Sequence, residues 1–170
     1  MFGAKVKNKG KGWDMKKTIM ILGAAAWVLA GCSTAPVALS PVGPGPTGVQ
    51  AAAGNGELEV FSALTGRREG NNPTWWQHSD YYVCNTRGRR LDQVMNAPGY
   101  YSTRPRLLTL PAGKYIVKAR AKGALWATVP VIIKPGEITR VHLDGNWQPN
   151  APTMELVMAP EGYAVGWRAK

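Results

Sequence analysis

The chain has 170 residues, 45% of them apolar, with 21 Lys and Arg against 10 Asp and Glu for a net charge of +11. Only two cysteines occur, Cys32 and Cys84, which excludes a multi-bridge disulfide scaffold. A pI near 10 raises nucleic-acid binding as a question. Six lysines and one aspartate lie within the first 31 residues, and the remainder, 15 basic against 9 acidic, carries only +6 in scattered form. That pattern reads as a solvated basic surface, and no nucleic-acid partner is expected.

Lys16 and Lys17 precede an apolar stretch of 13 residues from Thr18 to Ala30. A bilayer crossing needs about 20 apolar residues, so the stretch is too short to span. Its end carries Leu29-Ala30-Gly31-Cys32, small residues before a cysteine, in the arrangement of an export-peptide processing site. From Met15 to Cys32 the chain resembles bacterial lipoprotein signal peptides. The resemblance implies recognition of Leu29, Ala30 and Gly31 by a signal peptidase, cleavage after Gly31, and lipidation of Cys32, including an amide-linked palmitate-type chain. Translation starts at Met1 or at Met15, and residues 1–31 are the expected signal peptide. Ser33, following the cysteine, resembles the sorting pattern for the outer membrane, which implies a lipid-anchored envelope protein facing the periplasm or the cell surface.

Residues 32–56 follow, free of charge up to Gly56 and containing Pro36, Pro41, Pro44 and Pro46. Prolines at this density disfavour helix and sheet ladders, so the segment reads as a flexible tether. Residues 57–170 read as the folded domain, with its core best defined over 57–147. Leu58, Val60, Ser62 and Leu64 fall on one face of a first strand. Asp80 to Asn96 reads as a hairpin around Asn85-Thr86-Arg87-Gly88, with Gly88 supplying a positive φ. Arg106 to Leu110 is a further strand. Tyr115, Val117, Ala119 and Ala121 then alternate against Lys114, Lys118, Arg120 and Lys122, the signature of a half-buried strand. Ala124 to Lys134 follows with Val129, Val131 and Ile133 inward, Pro130 implying an edge or bulge. Pro135-Gly136 turns the chain into Ile138 to Leu143, and Met154 to Met158 with Tyr163 to Trp167 could add another strand. Short strands separated by turn chemistry predict an all-β antiparallel sandwich.

Leu110-Pro111-Ala112-Gly113-Lys114-Tyr115 and the strands up to Thr139 resemble bacterial immunoglobulin-like or prealbumin-like modules, including carboxypeptidase regulatory-like domains. The resemblance implies a sandwich in which the Tyr115 hydroxyl bonds back to nearby backbone. It implies no activity.

Chemistry-bearing patterns are sparse. The only histidines are His78 and His142, and no metal-ligand spacing, nucleophile elbow or phosphate-binding glycine loop appears. No catalytic residue, metal or cofactor is expected, and the chain is read as non-enzymatic. His142, alternating with Arg140 opposite Val141 and Leu143, is expected to face solvent. Cys84 is expected to be a buried apolar residue.

The aromatic pairs Trp75-Trp76 and Tyr100-Tyr101, with Arg104 and Arg106, form the candidate ligand-binding set. They suit a glycan or peptidoglycan strand. An envelope hydrolase using His78, Asp80 or His142, and an assembly subunit docking another envelope protein, are the alternatives.

Overall fold

A computed structural model describes residues 38–46, 54–68, 70–99 and 102–170. The signal peptide, its processing site Leu29 to Cys32, and the Tyr100-Tyr101 pair lie outside the described residues. The described strands are β1 (Val42–Gly43), β2 (Asn55–Phe61), β3 (Leu64–Arg67), β4 (Trp75–His78), β5 (Tyr81–Cys84) and β6 (Arg90–Val94). They continue with β7 (Leu107–Pro111), β8 (Gly113–Arg120), β9 (Trp126–Ile133), β10 (Ile138–His142), β11 (Leu156–Met158) and β12 (Ala164–Arg168). Two single-turn 3-10 helices, Lys122–Ala124 and Thr153–Glu155, are the only other regular elements described.

Seven strands form one sheet in the order β11-β12-β1-β9-β8-β5-β6. Three form a second, β10-β2-β7, and β3-β4 pair as a separate ribbon. The two larger sheets bury their inner faces against each other in an all-β sandwich, as the alternation predicts. Leu58 and Val60 of β2 and Val141 of β10 meet Val83, Val117, Val129 and Val131 of the larger sheet, all at 1% exposure or less. Leu64, expected on the inner face with Leu58 and Val60, is instead exposed, because the chain breaks at Ser62 and Ala63 and restarts as β3.

The hairpin turn is as expected: Gly88 sits at φ +79°, and its amide donates to the Asn85 carbonyl at 2.9 Å. Tyr115 Oη donates to the Pro111 carbonyl at 2.9 Å, tying the head of β8 to the end of β7.

Two pairings depart from an antiparallel sandwich. β10 runs parallel to β2 over five residues, Ile138 opposite Glu57 through His142 opposite Phe61. β1 runs parallel to β9, with Val42 opposite Val131, and antiparallel to β12. The proline-rich segment is therefore not tether throughout. Val42 is fully buried, Gly43 lies so close to Ala169 that a Cβ would approach its Cα to 2.9 Å, and Leu39 packs on the core. Three prolines within six residues leave room for only a two-residue strand, which is enough to fill the gap between β9 and β12.

Pro130 is likewise not on a sheet edge, since β9 has neighbours on both sides. The neighbour beyond it is the two-residue β1, so a missing amide there costs little of the ladder. Val157 and Val165 are also fully buried, so the core reaches well past residue 147.

Gly56 shows how tightly the sheet ends pack. A Cβ there would press into the Lys134 carbonyl oxygen and stand 2.8 Å from Ile133 Cγ2. Gly56→Ala is expected to cost about 2 kcal/mol through overpacking against backbone that cannot yield. A urea titration checks this, and an unchanged midpoint would refute it.

Candidate functional site

The second half of β10 and the end of β2 bring both histidines to one place. Parallel pairing sets His142 opposite Phe61, and their rings stack at 4.4 Å with a 12° interplanar angle. Trp147, on the loop after β10, covers the other face of His142 at 4.4 Å and 13°. Trp167 of β12 then meets Trp147 edge-on at 5.9 Å, and His78 of β4 meets Phe61 edge-on at 5.5 Å. A continuous column of rings, His78, Phe61, His142, Trp147 and Trp167, thus runs along the end of the sandwich.

His142 is buried to 7% exposure instead of facing solvent. Alternation fixed its side of the strand correctly; the loop carrying Trp147 then folds over that side. Burial pulls its imidazole from the ordinary 6.5 down to about 4, opposed by nearby Asp144 and reinforced by Arg140 and His78. The neutral ring is the form that stacks.

Beside the column lie two concavities that share Gly45 and Trp167. One, about 270 Å³, is lined by Arg140, His142, Trp147 and Trp167 among others. The second, about 200 Å³, carries Lys134, Arg168 and Lys170 with Glu137 and Glu155. Gly45 is required by the close approach of the indole, since a Cβ there would stand 2.9 Å from Trp167 Nε1. Arg140 is held by Glu59 at 2.9 Å. Arg168 is bound to the backbone of Met154 and Leu156 and to Ser40 Oγ. The groove is thus an aromatic wall with a basic margin, formed by β10, β12 and the loop after β10, and it suits a polar ligand with flat apolar faces.

The sequence-predicted binding residues lie elsewhere. Trp75 and Trp76 occupy β4, 39% and 57% exposed, and the Trp76 ring lies over Gly66 of β3. Gln77, between Trp76 and His78, reaches the Gly99 carbonyl at 3.3 Å. Arg104 and Arg106 are exposed on either side of buried Pro105. The Arg106 amide is bound to Asn96.

The groups of the hydrolase alternative are all engaged. His78 Nδ1 stands 2.6 Å from the Ser62 carbonyl, which it meets as a donor. Asp80 Oδ1 accepts the Asn96 amide at 3.0 Å, and the Phe61 ring contacts both histidines. Cys84 is buried at 2% exposure. Among the described residues no group of three or more metal-ligating side chains converges. No helix there is long and apolar enough to cross a membrane.

A second aromatic feature leaves no local mark in the sequence because its members are 44 residues apart. On the outer face of the seven-stranded sheet Tyr82 of β5 and Trp126 of β9 stack at 5.8 Å and 14°. Arg90 stands over the Tyr82 ring at 5.2 Å and Arg120 over the Trp126 ring at 5.1 Å. Strand order, not sequence spacing, brings them together. No protein-family model, curated protein or solved structure matches the chain.

Proposed function

We propose that this chain is a non-enzymatic, lipid-anchored protein of the bacterial cell envelope whose β-sandwich serves as a binding or structural module. The anchor reading rests on Leu29-Ala30-Gly31-Cys32 after a short apolar stretch. The observation that carries the non-enzymatic part is the engagement of His78, Asp80 and His142 in structural contacts with Ser62, Asn96, Phe61 and Trp147. No cofactor is invoked. In the processed chain Cys32 holds the acyl chains, at the outer membrane by the Ser33 pattern, and the sandwich works in the periplasm or at the surface. The immunoglobulin-like or prealbumin-like resemblance belongs to the same reading and adds no activity of its own.

Mass spectrometry of the membrane fraction tests the anchor. The expected N-terminal peptide begins at Cys32 and carries fatty acyl groups; an unmodified Cys32 with residues 1–31 still attached overturns the proposal.

A cell-wall glycan is the second reading, favoured by the Trp147 and Trp167 groove with its basic margin. Sugar rings present the flat apolar faces that indoles cover, and Lys134 and Lys170 suit the carboxylates of a peptidoglycan strand. Trp167→Ala is expected to weaken co-sedimentation with purified cell wall by about tenfold or more. Trp76→Ala, at the position first expected to bind, serves as the comparison. Equal loss from both variants would return the site to β4, and no loss from either would remove the glycan reading.

A further inference from the structure

The lipid anchor and the described fold are separated by very little chain. Leu39 already packs on the core, seven residues after Cys32, and a fully extended chain of that length covers at most about 25 Å. The point where the chain enters the sandwich must then stay close to the bilayer. That point is marked by its neighbours: Leu39 lines a cavity of about 190 Å³ together with Leu125, Trp126 and Thr128.

This corner is also where large apolar side chains stand out into solvent. Leu125 is 64% exposed and Trp126 55% exposed, directly after the 3-10 turn Lys122–Ala124. Basic groups surround them. Lys122 is exposed three positions before Leu125, with its stem laid against Gly145, and the Arg120 guanidinium lies over the Trp126 indole. On the same outer face Arg90 and Tyr82 extend the ladder, and Lys118 sits opposite Tyr82. Glu161 is the acidic residue lining the cavity.

Resting on the anchor reading, we propose that this corner, Arg120 to Trp126 with the Tyr82 ladder behind it, is a second contact with the membrane and docks on anionic phospholipid. Leu125 and Trp126 enter the interfacial region, where indole rings partition favourably, while Lys122, Arg120 and Arg90 meet the headgroup phosphates. The acyl chains hold the protein on the bilayer, and the corner fixes which way the sandwich faces. With the corner against the lipid, one face of the larger sheet turns toward the headgroups.

The test uses the full, lipidated chain in vesicles of phosphatidylethanolamine with phosphatidylglycerol, doped with a phospholipid carrying a carbene-generating group in its headgroup region. After illumination, adducts are expected on the tryptic peptide Gly123 to Arg140, which holds Leu125 and Trp126 and runs past the trypsin-resistant Lys134-Pro135 bond. Leu125→Ser with Trp126→Ser is expected to cut those adducts about fivefold. Lys122→Gln, which leaves the apolar residues in place and extends the peptide that is read back to Ala121, is expected to lower them about threefold in anionic vesicles and little in phosphatidylcholine alone.

The peptide starting at Cys32 is read in the same digest, so the two ideas fail separately. A Cys32 without acyl chains overturns the anchor and this orientation with it. An acylated Cys32 with no adducts on Gly123 to Arg140, or with adducts equal on the Trp76 peptide, overturns the corner contact alone. Chain-to-chain cross-links through Leu125 or Trp126 in place of lipid adducts would assign the corner to a second copy and overturn it too.

Discussion

Asn96→Ala is expected to destabilise the fold by about 3 kcal/mol, among the largest effects of any polar substitution in this chain. Asn96 is fully buried, and its side-chain amide donates to the Val60 carbonyl at 2.8 Å and to Ser62 Oγ at 3.1 Å. The Ser79 carbonyl takes a further donation at 3.3 Å. Its Oδ1 and its own carbonyl accept from the Arg106 amide at 3.0 and 2.9 Å, and its amide donates to Asp80. One side chain therefore ties β2, the link between β4 and β5, and the segment leading into β7.

Truncation takes a donor from the Val60 carbonyl and from Ser62 Oγ, while the Ser79 carbonyl keeps the Ser62 hydroxyl at 2.6 Å, and each such loss costs about 1 kcal/mol or more. Asn96→Asp keeps the acceptor and removes the amide donors, and is expected to be at least as damaging because it also buries a charge. Urea denaturation followed by tryptophan fluorescence reads both variants. A loss below about 1 kcal/mol in Asn96→Ala would show that the hub adds little to stability.

The second large effect is a fall in stability toward acid. His142 carries a folded-state pKa of about 4 against an ordinary 6.5, so the unfolded chain binds its proton more readily over that interval. Stability is fully present above the unfolded value and declines as pH drops from about 6.5 through about 4. The integrated loss from this single ring is about 3 kcal/mol. His142→Phe keeps a flat ring between Phe61 and Trp147 and removes the proton site. The variant is expected to flatten the pH dependence between about pH 7 and pH 4.5, even if its stability near neutrality differs. A slope identical to the parent's would place the acid sensitivity elsewhere.

Much of the sandwich was legible in the sequence because period-two alternation maps directly onto which side chains a sheet buries. Lys114 to Lys122 is the clearest instance, and Val117, Ala119 and Ala121 are buried as that pattern requires. The Asn85 to Gly88 turn was legible because a positive φ has a residue signature. Alternation also put His142 on the face opposite Val141, but it carries no information about which loop later covers that face. The aromatic column was hidden for that reason: Phe61, His142, Trp147 and Trp167 are joined by a parallel pairing and a loop crossing that leave no local mark. β1 was hidden for the opposite reason. The signal of Pro41, Pro44 and Pro46 is strong and correct about backbone restriction, yet it does not forbid two residues between them from pairing. The aromatic doublets Trp75-Trp76 and Tyr100-Tyr101 drew attention because they are adjacent in sequence. The groove beside His142 is lined by indoles 20 positions apart.

The placement of β1 has a consequence for when the molecule can finish folding. The larger sheet sets residues 42–43 between β9 and β12, so its first strand is not enclosed until Ala164–Arg168 have been delivered. Pairing segments more than 120 positions apart is a high-contact-order step that slows folding. A chain released from its N-terminal side would stay open along this seam until Ala164–Arg168 had followed.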